Sequence, residues 1–118
     1  MKDKAFLNNY FENLKKLINF DDQAEKLIDV KNIILDTKKK NAKTMIFGNG
    51  GSAAIASHFS VDLTKNARVR CVNFNESDLL TCFSNDFGYE RWVEKAIEFY
   101  GDKDDVLILI SAGGESKN

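Results

Sequence analysis

A single histidine, His58, stands four residues before Asp62. On a helix that spacing puts both side chains on one face. An imidazole and a carboxylate so placed can act as an acid/base pair or supply two ligands to a metal such as zinc. The same spacing occurs wherever a surface histidine bonds to an i+4 neighbour, and spacing alone favours that plain reading. A second chemically capable group is small rather than titratable. Gly48-Asn49-Gly50-Gly51-Ser52 follows the apolar run Met45-Ile46-Phe47. Such a join lets backbone N–H groups and the positive end of a helix dipole converge on one point, where an anion is stabilised. A companion segment, Ser111-Ala112-Gly113-Gly114-Glu115-Ser116, follows the apolar run Val106-Leu107-Ile108-Leu109-Ile110. The hydroxyls of Ser52, Ser111 and Ser116 can donate to phosphate oxygens. Neither segment is a Walker A loop, because no Lys-Ser/Thr follows the glycines, and Gly48-x-Gly50-Gly51 does not match the spaced dinucleotide fingerprint. One glycine-rich turn often serves geometry alone. Two at equivalent positions point to a monophosphate ligand. Asn85-Asp86-Phe87-Gly88-Tyr89 reads either as a helix cap and turn, or as a device presenting Asp86 to sugar hydroxyls or as a base.

The elements that must position these residues alternate in type. Residues 4–19 carry Phe6, Leu7, Tyr10, Phe11, Leu14, Leu17 and Ile18 at helical spacing. That stripe is broad enough either to pack on its own domain or to dock on another subunit. A second helix is expected from Asp22, with Asp22 and Glu25 at capping-box spacing. Ala24, Leu27, Ile28, Ile34 and Leu35 form its buried face, and it ends at Lys38-Lys39-Lys40-Asn41, where basic residues suit the dipole. From Lys43 the period changes. Strands are expected at residues 44–47, 70–74 and 106–110, and helices at 52–64, 75–85 and 90–100. The last strand, five consecutive apolar residues, reads as buried on both faces. This alternation implies right-handed βαβ units and an α/β fold with a parallel sheet and flanking helices. Ligands of such sheets bind beyond the carboxyl ends of the strands, where both glycine segments fall.

Composition narrows the classes. The 118 residues are 43% hydrophobic and 30% charged, as in one ordinary globular domain. Seventeen basic residues against eighteen acidic give a net charge of −1, which argues against a basic nucleic-acid surface. Cys71 and Cys82 show neither metal-type spacing nor a disulfide framework and read as reduced thiols. No apolar run approaches the roughly 20 residues of a membrane span. Met1-Lys2-Asp3-Lys4 leads into an amphipathic segment rather than a signal-peptide core. A cytoplasmic protein with no nucleic-acid or membrane partner is expected. The chain stops at Asn118, where a helix should follow the second loop, so a chain truncated at its C-terminus is also expected.

Taken together, Gly48-Asn49-Gly50-Gly51-Ser52, His58-Phe59-x-x-Asp62-Leu63-Thr64, Asn85-Asp86-Phe87-Gly88-Tyr89 and the stretch from Gly101 to Ser111 and Ser116 resemble a sugar isomerase (SIS) domain. Within that group they most resemble the phosphoheptose isomerases, which convert sedoheptulose 7-phosphate to glycero-manno-heptose 7-phosphate for surface-polysaccharide heptose synthesis. The resemblance runs from the N-terminal helices to the last residue. It implies a flavodoxin-like sheet, N-terminal helices (residues 1–42) that serve oligomerisation, a partial sugar-phosphate-binding domain (residues 43–118) and a homotetramer with active sites between subunits. By the family pattern Ser52, Ser111 and Ser116 hold the phosphate, with Asn49, Gly50, Gly51 and Gly113 lining that pocket. His58 becomes a zinc ligand or active-site group, Asp86 contacts the open-chain sugar, and Asp62 takes the place of the family's glutamate base and zinc neighbour. Three departures stand out. Asp62 is one methylene short. Ala112 and Gly113 replace two hydroxyl residues of the usual Ser-Thr-Ser-Gly-Asn-Ser. The later helix with the family's glutamine and second histidine lies beyond Asn118, so the 118 residues alone are expected to be inactive. The competing expectation is a non-catalytic SIS module that senses a phosphosugar or scaffolds a partner such as a replication initiator. A third is an isomerase for another phosphosugar.

Overall fold

The computed structural model describes residues 2–18 and 23–118. Asp22 of the expected capping box lies outside them. The chain divides into two units, Met1–Asn32 and Ile33–Asn118. The first holds helix α1 (Lys2–Ile18) and the beginning of α2 (Ala24–Lys39). The predicted periodicity of α1 is realised, and its aromatic residues meet along the helix, Phe6 on Tyr10 and Tyr10 against the edge of Phe11. None of its residues is buried.

In the second unit, β1 (Thr44–Gly48), α3 (Gly51–Lys65), β2 (Cys71–Asn73), α4 (Ser77–Phe87), α5 (Trp92–Tyr100) and β3 (Val106–Ile110) follow in order. The strands form one parallel sheet in the order β2-β1-β3, with Thr44 beside both Cys71 and Val106. Alternation along β1 sends Met45 and Phe47 to one face and Ile46 to the other. Met45 and Phe47 pack with Phe74, Trp92 and Ala96 under α4 and α5, and Ile46 packs with Ala56 and Cys71 under α3. Phe47 stacks on Phe74 with ring centroids 5.1 Å apart and meets Trp92 at 5.8 Å. These contacts seat the carboxyl end of β1 firmly, and the first glycine segment begins there.

An ion pair ties the start of β1 to the start of β3. Lys43 Nζ bonds the Asp105 carboxylate, whose other oxygen accepts the Lys43 backbone N–H at 2.8 Å. The Asp105 side chain is 6% exposed. Because the two strands are parallel, fixing their starts also fixes the register in which their carboxyl ends meet.

Four expectations are corrected. Strand β3 is not buried on both faces: Leu107 is 44% and Leu109 66% exposed. It is an edge strand, and its register sets Leu107 beside Met45 and Leu109 beside Phe47. They share the face covered elsewhere by α4 and α5, whereas Ile108 and Ile110 pack under α3. The face of α2 is also narrower than expected. Ile34 and Thr37 are its buried residues, while Leu27, Ile28 and Leu35 are exposed. Helix α4 starts at Ser77 rather than residue 75, because the Asn75 amide instead reaches across to α3, donating to the Ala53 carbonyl and the Ser57 hydroxyl. Finally, Asn85, Asp86 and Phe87 form the last turn of α4 instead of an interhelical turn. Gly88 ends it at φ +88°, and Tyr89–Arg91 make a 3₁₀ turn into α5.

Candidate functional site

The first loop leaves β1 at Gly48 and enters α3 at Gly51. A Cβ on Gly48 would lie 2.6 Å from the Ser52 carbonyl carbon and oxygen, so only glycine lets the helix start this close to the strand. Gly50 sits at φ +54° in the N-cap position, and no side chain caps the helix. In the first turn of α3 the Ala53 N–H donates to the Asn49 carbonyl at 3.4 Å and the Ala54 N–H to the Gly50 carbonyl at 3.2 Å, and this end of the helix carries the positive end of its dipole. Asn49 closes the turn by accepting the Ser52 N–H on its carbonyl at 3.0 Å.

The second loop leaves β3 beside it. Gly114, at φ +67°, turns its N–H back to the Ser111 hydroxyl oxygen at 2.8 Å. That oxygen is thereby engaged as an acceptor, which leaves the Ser111 O–H to donate. The two loops bound a cleft of about 430 Å³ to which Asn49 and Ser52 contribute from one side and Ser111, Gly113, Ser116 and Asn118 from the other. Val93 and Leu109 form an apolar wall. Among the described residues no lysine or arginine lines it, so an anion here would be held by neutral donors and the dipole of α3.

The cleft brings together five of the residues expected from the sequence, namely Asn49, Ser52, Ser111, Gly113 and Ser116. Gly50 lines an adjoining cavity with Asn49, Asn75, Ser84, Tyr89 and Trp92, and Gly51 lines neither. His58 and Asp62 do share a face of α3, with Nε2 and Oδ2 3.5 Å apart, and the His58 side chain is 82% exposed. Their depression is lined by Ala54, Ile55 and Phe59, all from the same helix, and lies apart from the cleft. Asp86 is exposed on α4, where it accepts from the Asn85 amide at 2.9 Å and faces the Cys82 thiol at 3.7 Å.

Two residues that carry no role in the motifs, Tyr89 at the end of one of them and Asn118, join the site. The Tyr89 hydroxyl donates to Asn49 Oδ1 at 3.2 Å, and the amides of Asn49 and Asn118 bond reciprocally, at 2.8 and 3.1 Å. Neither residue has a local spacing to Asn49, so only the fold brings them there.

Among the described residues no three His, Cys, Asp or Glu side chains gather as a metal site. His58 and Asp62 supply two ligands, and a catalytic zinc takes three from protein. The described residues by themselves do not fit a zinc centre. The cysteines are both free. Burial pushes the Cys71 thiol up to about 11, which removes it as a nucleophile at neutral pH. The Asp86 charge raises that of Cys82.

Known proteins place this architecture. The SIS domain family model matches residues 9–118. The phosphoheptose isomerase of Sodalis glossinidius is 34% identical over 117 residues, covering 95% of this chain and 60% of that protein. That of Helicobacter pylori (strain P12) is 35% identical over 113 residues, covering 91% of this chain and 58% of that protein. The chain thus spans about 60% of the length of these relatives. The structure of phosphoheptose isomerase from Neisseria gonorrhoeae superposes with a TM-score of 0.87 at 26% identity, over all of this chain and 65% of that one. One from Francisella tularensis gives 0.88 at 22% identity, covering 66% of that chain, a likeness of fold. A parallel sheet with two glycine loops at its carboxyl edge, matched by the family model over residues 9–118, makes this chain a member of the SIS domain family.

Proposed function

We propose that the chain belongs to an aldose–ketose isomerase for a phosphorylated seven-carbon sugar and contributes its phosphate-binding half. The substrate is sedoheptulose 7-phosphate and the product glycero-manno-heptose 7-phosphate, a precursor for lipopolysaccharide or capsule. The observation that carries this reading is the convergence of Asn49, Ser52, Ser111, Gly113 and Ser116 on one cleft at the carboxyl edge of the sheet. The phosphate binds there to the serine hydroxyls, the Asn49 amide and the positive end of the α3 dipole, and supplies affinity remote from the reacting carbons. Asp62 removes the proton beside the carbonyl, an enediolate forms, and an acid returns the proton to the neighbouring carbon. His58, 3.5 Å from Asp62, holds that carboxylate in place, and Asp86 contacts the sugar hydroxyls. Were zinc bound, His58 and Asp62 would be two of its ligands, with others from outside the described residues, and it would supply Lewis-acid chemistry toward the sugar oxygens.

The site is completed in a cytoplasmic homotetramer. Phe6, Leu7, Tyr10 and Phe11, each 49% or more exposed, supply a face for that assembly. The test is turnover of sedoheptulose 7-phosphate by the full-length protein bearing this chain, with Asp62→Asn as the control. Turnover that falls on the order of 10²–10⁴-fold in the variant supports the base assignment. A folded protein that never isomerises the sugar, with or without added zinc, removes the heptose assignment.

A second reading is favoured by one observation. His58 and Asp62 line a depression on α3 separate from the cleft, and Asp62 is shorter than the glutamate of the family pattern. A non-catalytic phosphosugar-binding module or scaffold needs only the cleft. Saturable binding of the phosphosugar without isomerisation distinguishes it.

A further inference from the structure

We propose that Tyr89 and Asn118 are positioning residues that present Asn49 to a bound ligand as a hydrogen-bond donor. The inference rests on the reading of the cleft as a phosphosugar site. Asn49 Oδ1 accepts from the Tyr89 hydroxyl at 3.2 Å and from Asn118 Nδ2 at 3.1 Å. An amide oxygen has two lone pairs, and both are now occupied. Asn49 Nδ2 donates one of its two N–H bonds to Asn118 Oδ1 at 2.8 Å. The one hydrogen-bonding function left on the Asn49 side chain is the second N–H. It belongs to a side chain that lines the cleft beside Ser52, Ser111 and Ser116.

The three partners come from distinct parts of the fold. Asn49 belongs to the first loop, Tyr89 to the 3₁₀ turn after α4 and Asn118 to the segment after β3. Their bonds therefore link the two loops of the cleft to each other and to the α4–α5 connection. An amide held at three points loses little further freedom when a ligand arrives, which favours an acceptor such as a phosphate or sugar oxygen. It also sets polarity: a ligand group that can only donate meets no free acceptor on Asn49.

The test measures binding of inorganic phosphate and of sedoheptulose 7-phosphate to the full-length protein bearing this chain, by calorimetry and ³¹P NMR. The variants are Asn49→Ala, Tyr89→Phe, Asn118→Ala and the double variant Asn49→Ala/Tyr89→Phe. Each single change should weaken binding by about 3- to 10-fold, the effect of one neutral hydrogen bond. Tyr89→Phe should keep its thermal midpoint within about 2 °C of the parent chain, because the hydroxyl makes no core contact. In the double variant the Tyr89 effect should vanish, since a residue acting through Asn49 has nothing left to act on. Tyr89→Phe binding as tightly as the parent, or an equal loss with and without Asn49, overturns the positioning role while leaving the phosphosugar reading intact. A folded full-length parent that binds neither probe overturns the reading and the inference together.

Discussion

At the residue scale, the first loop is constrained by space at one glycine and not at another. Gly48→Ala would drive a Cβ to 2.6 Å from the Ser52 backbone, which cannot move without dislodging the first turn of α3. Gly51→Ala meets nothing within 4 Å. Gly48→Ala should therefore cost about 2 kcal/mol or more and abolish phosphate binding, while Gly51→Ala stays within about 0.5 kcal/mol of the parent. Thermal melts and a phosphate titration of both variants check this contrast. The cysteines offer a second probe at the same scale. Cys71, buried with its thiol raised to about 11, should resist alkylation until the chain unfolds. Cys82 is exposed and held up by the Asp86 charge first, then by desolvation and its contact with that carboxylate. Asp86→Asn should speed native alkylation of Cys82 at pH 7.5 by about 2- to 5-fold, read by mass spectrometry. An unchanged rate would mean that Asp86 does not face the thiol in solution.

At the scale of elements, the clamp between the starts of β1 and β3 gives a pH signature. Burial alone would push the Asp105 carboxyl up. Bonds from the Lys43 ammonium, the Lys43 backbone N–H and the Asp102 N–H outweigh it and hold the group below its ordinary 3.8. A folded-state pKa below the unfolded one contributes stability that is full above the unfolded value and lost as pH falls through the folded value. Urea unfolding should thus show stability level from pH 7 to about pH 5 and declining below about pH 4. Asp105→Asn should cost about 2 kcal/mol at pH 7, with the gap to the parent closing as pH falls below the ordinary 3.8 of the carboxyl. A gap independent of pH would assign the residue a packing role only.

The same clamp shows what was legible in advance. The strands at residues 44–47 and 106–110 are apolar runs bounded by glycine and charge, so composition placed them within a residue. That Lys43 and Asp105 pair across 62 positions follows only from strands lying side by side in parallel. The role of Tyr89 and Asn118 was hidden for the same reason. Their link to Asn49 spans 40 and 69 residues and leaves no periodic trace. The serines and glycines of the cleft were legible because both loops follow strands that a parallel sheet must end on one edge. Asn75 was misplaced in a helix because its interhelical bonds to Ala53 and Ser57 outcompete helix extension.

At the scale of the whole molecule, the exposed side of β3 governs how the 118-residue chain behaves. An apolar run says that a strand wants two covered faces; it cannot say how many neighbours the strand has. Here β3 is an edge, with unpaired backbone groups on its outer side and Leu107 and Leu109 open on one face. Natural edges are blunted with lysine, proline or bulges, and β3, Val-Leu-Ile-Leu-Ile, carries none of these. Such a strand is a template for another chain, and burial of the two leucines adds hydrophobic gain at about 25 cal/mol per Å². The 118-residue chain should self-associate as its concentration rises into the tens of micromolar. Leu109→Lys puts a charge on the most exposed position of β3, 66% open, where the parent contact is slight. It should shift sedimentation velocity profiles toward monomer and lower the thermal midpoint by no more than about 2 °C. Lys is the sharper choice than Ala, because it opposes pairing by charge and desolvation while its stem still covers apolar surface. The register makes a control available. Ile108→Lys lies on the face packed against α3 and should unfold the chain outright. If Leu109→Lys associates as strongly as the parent, association does not run through β3. The exposed face of α1, probed by Phe6→Glu, then becomes the surface responsible.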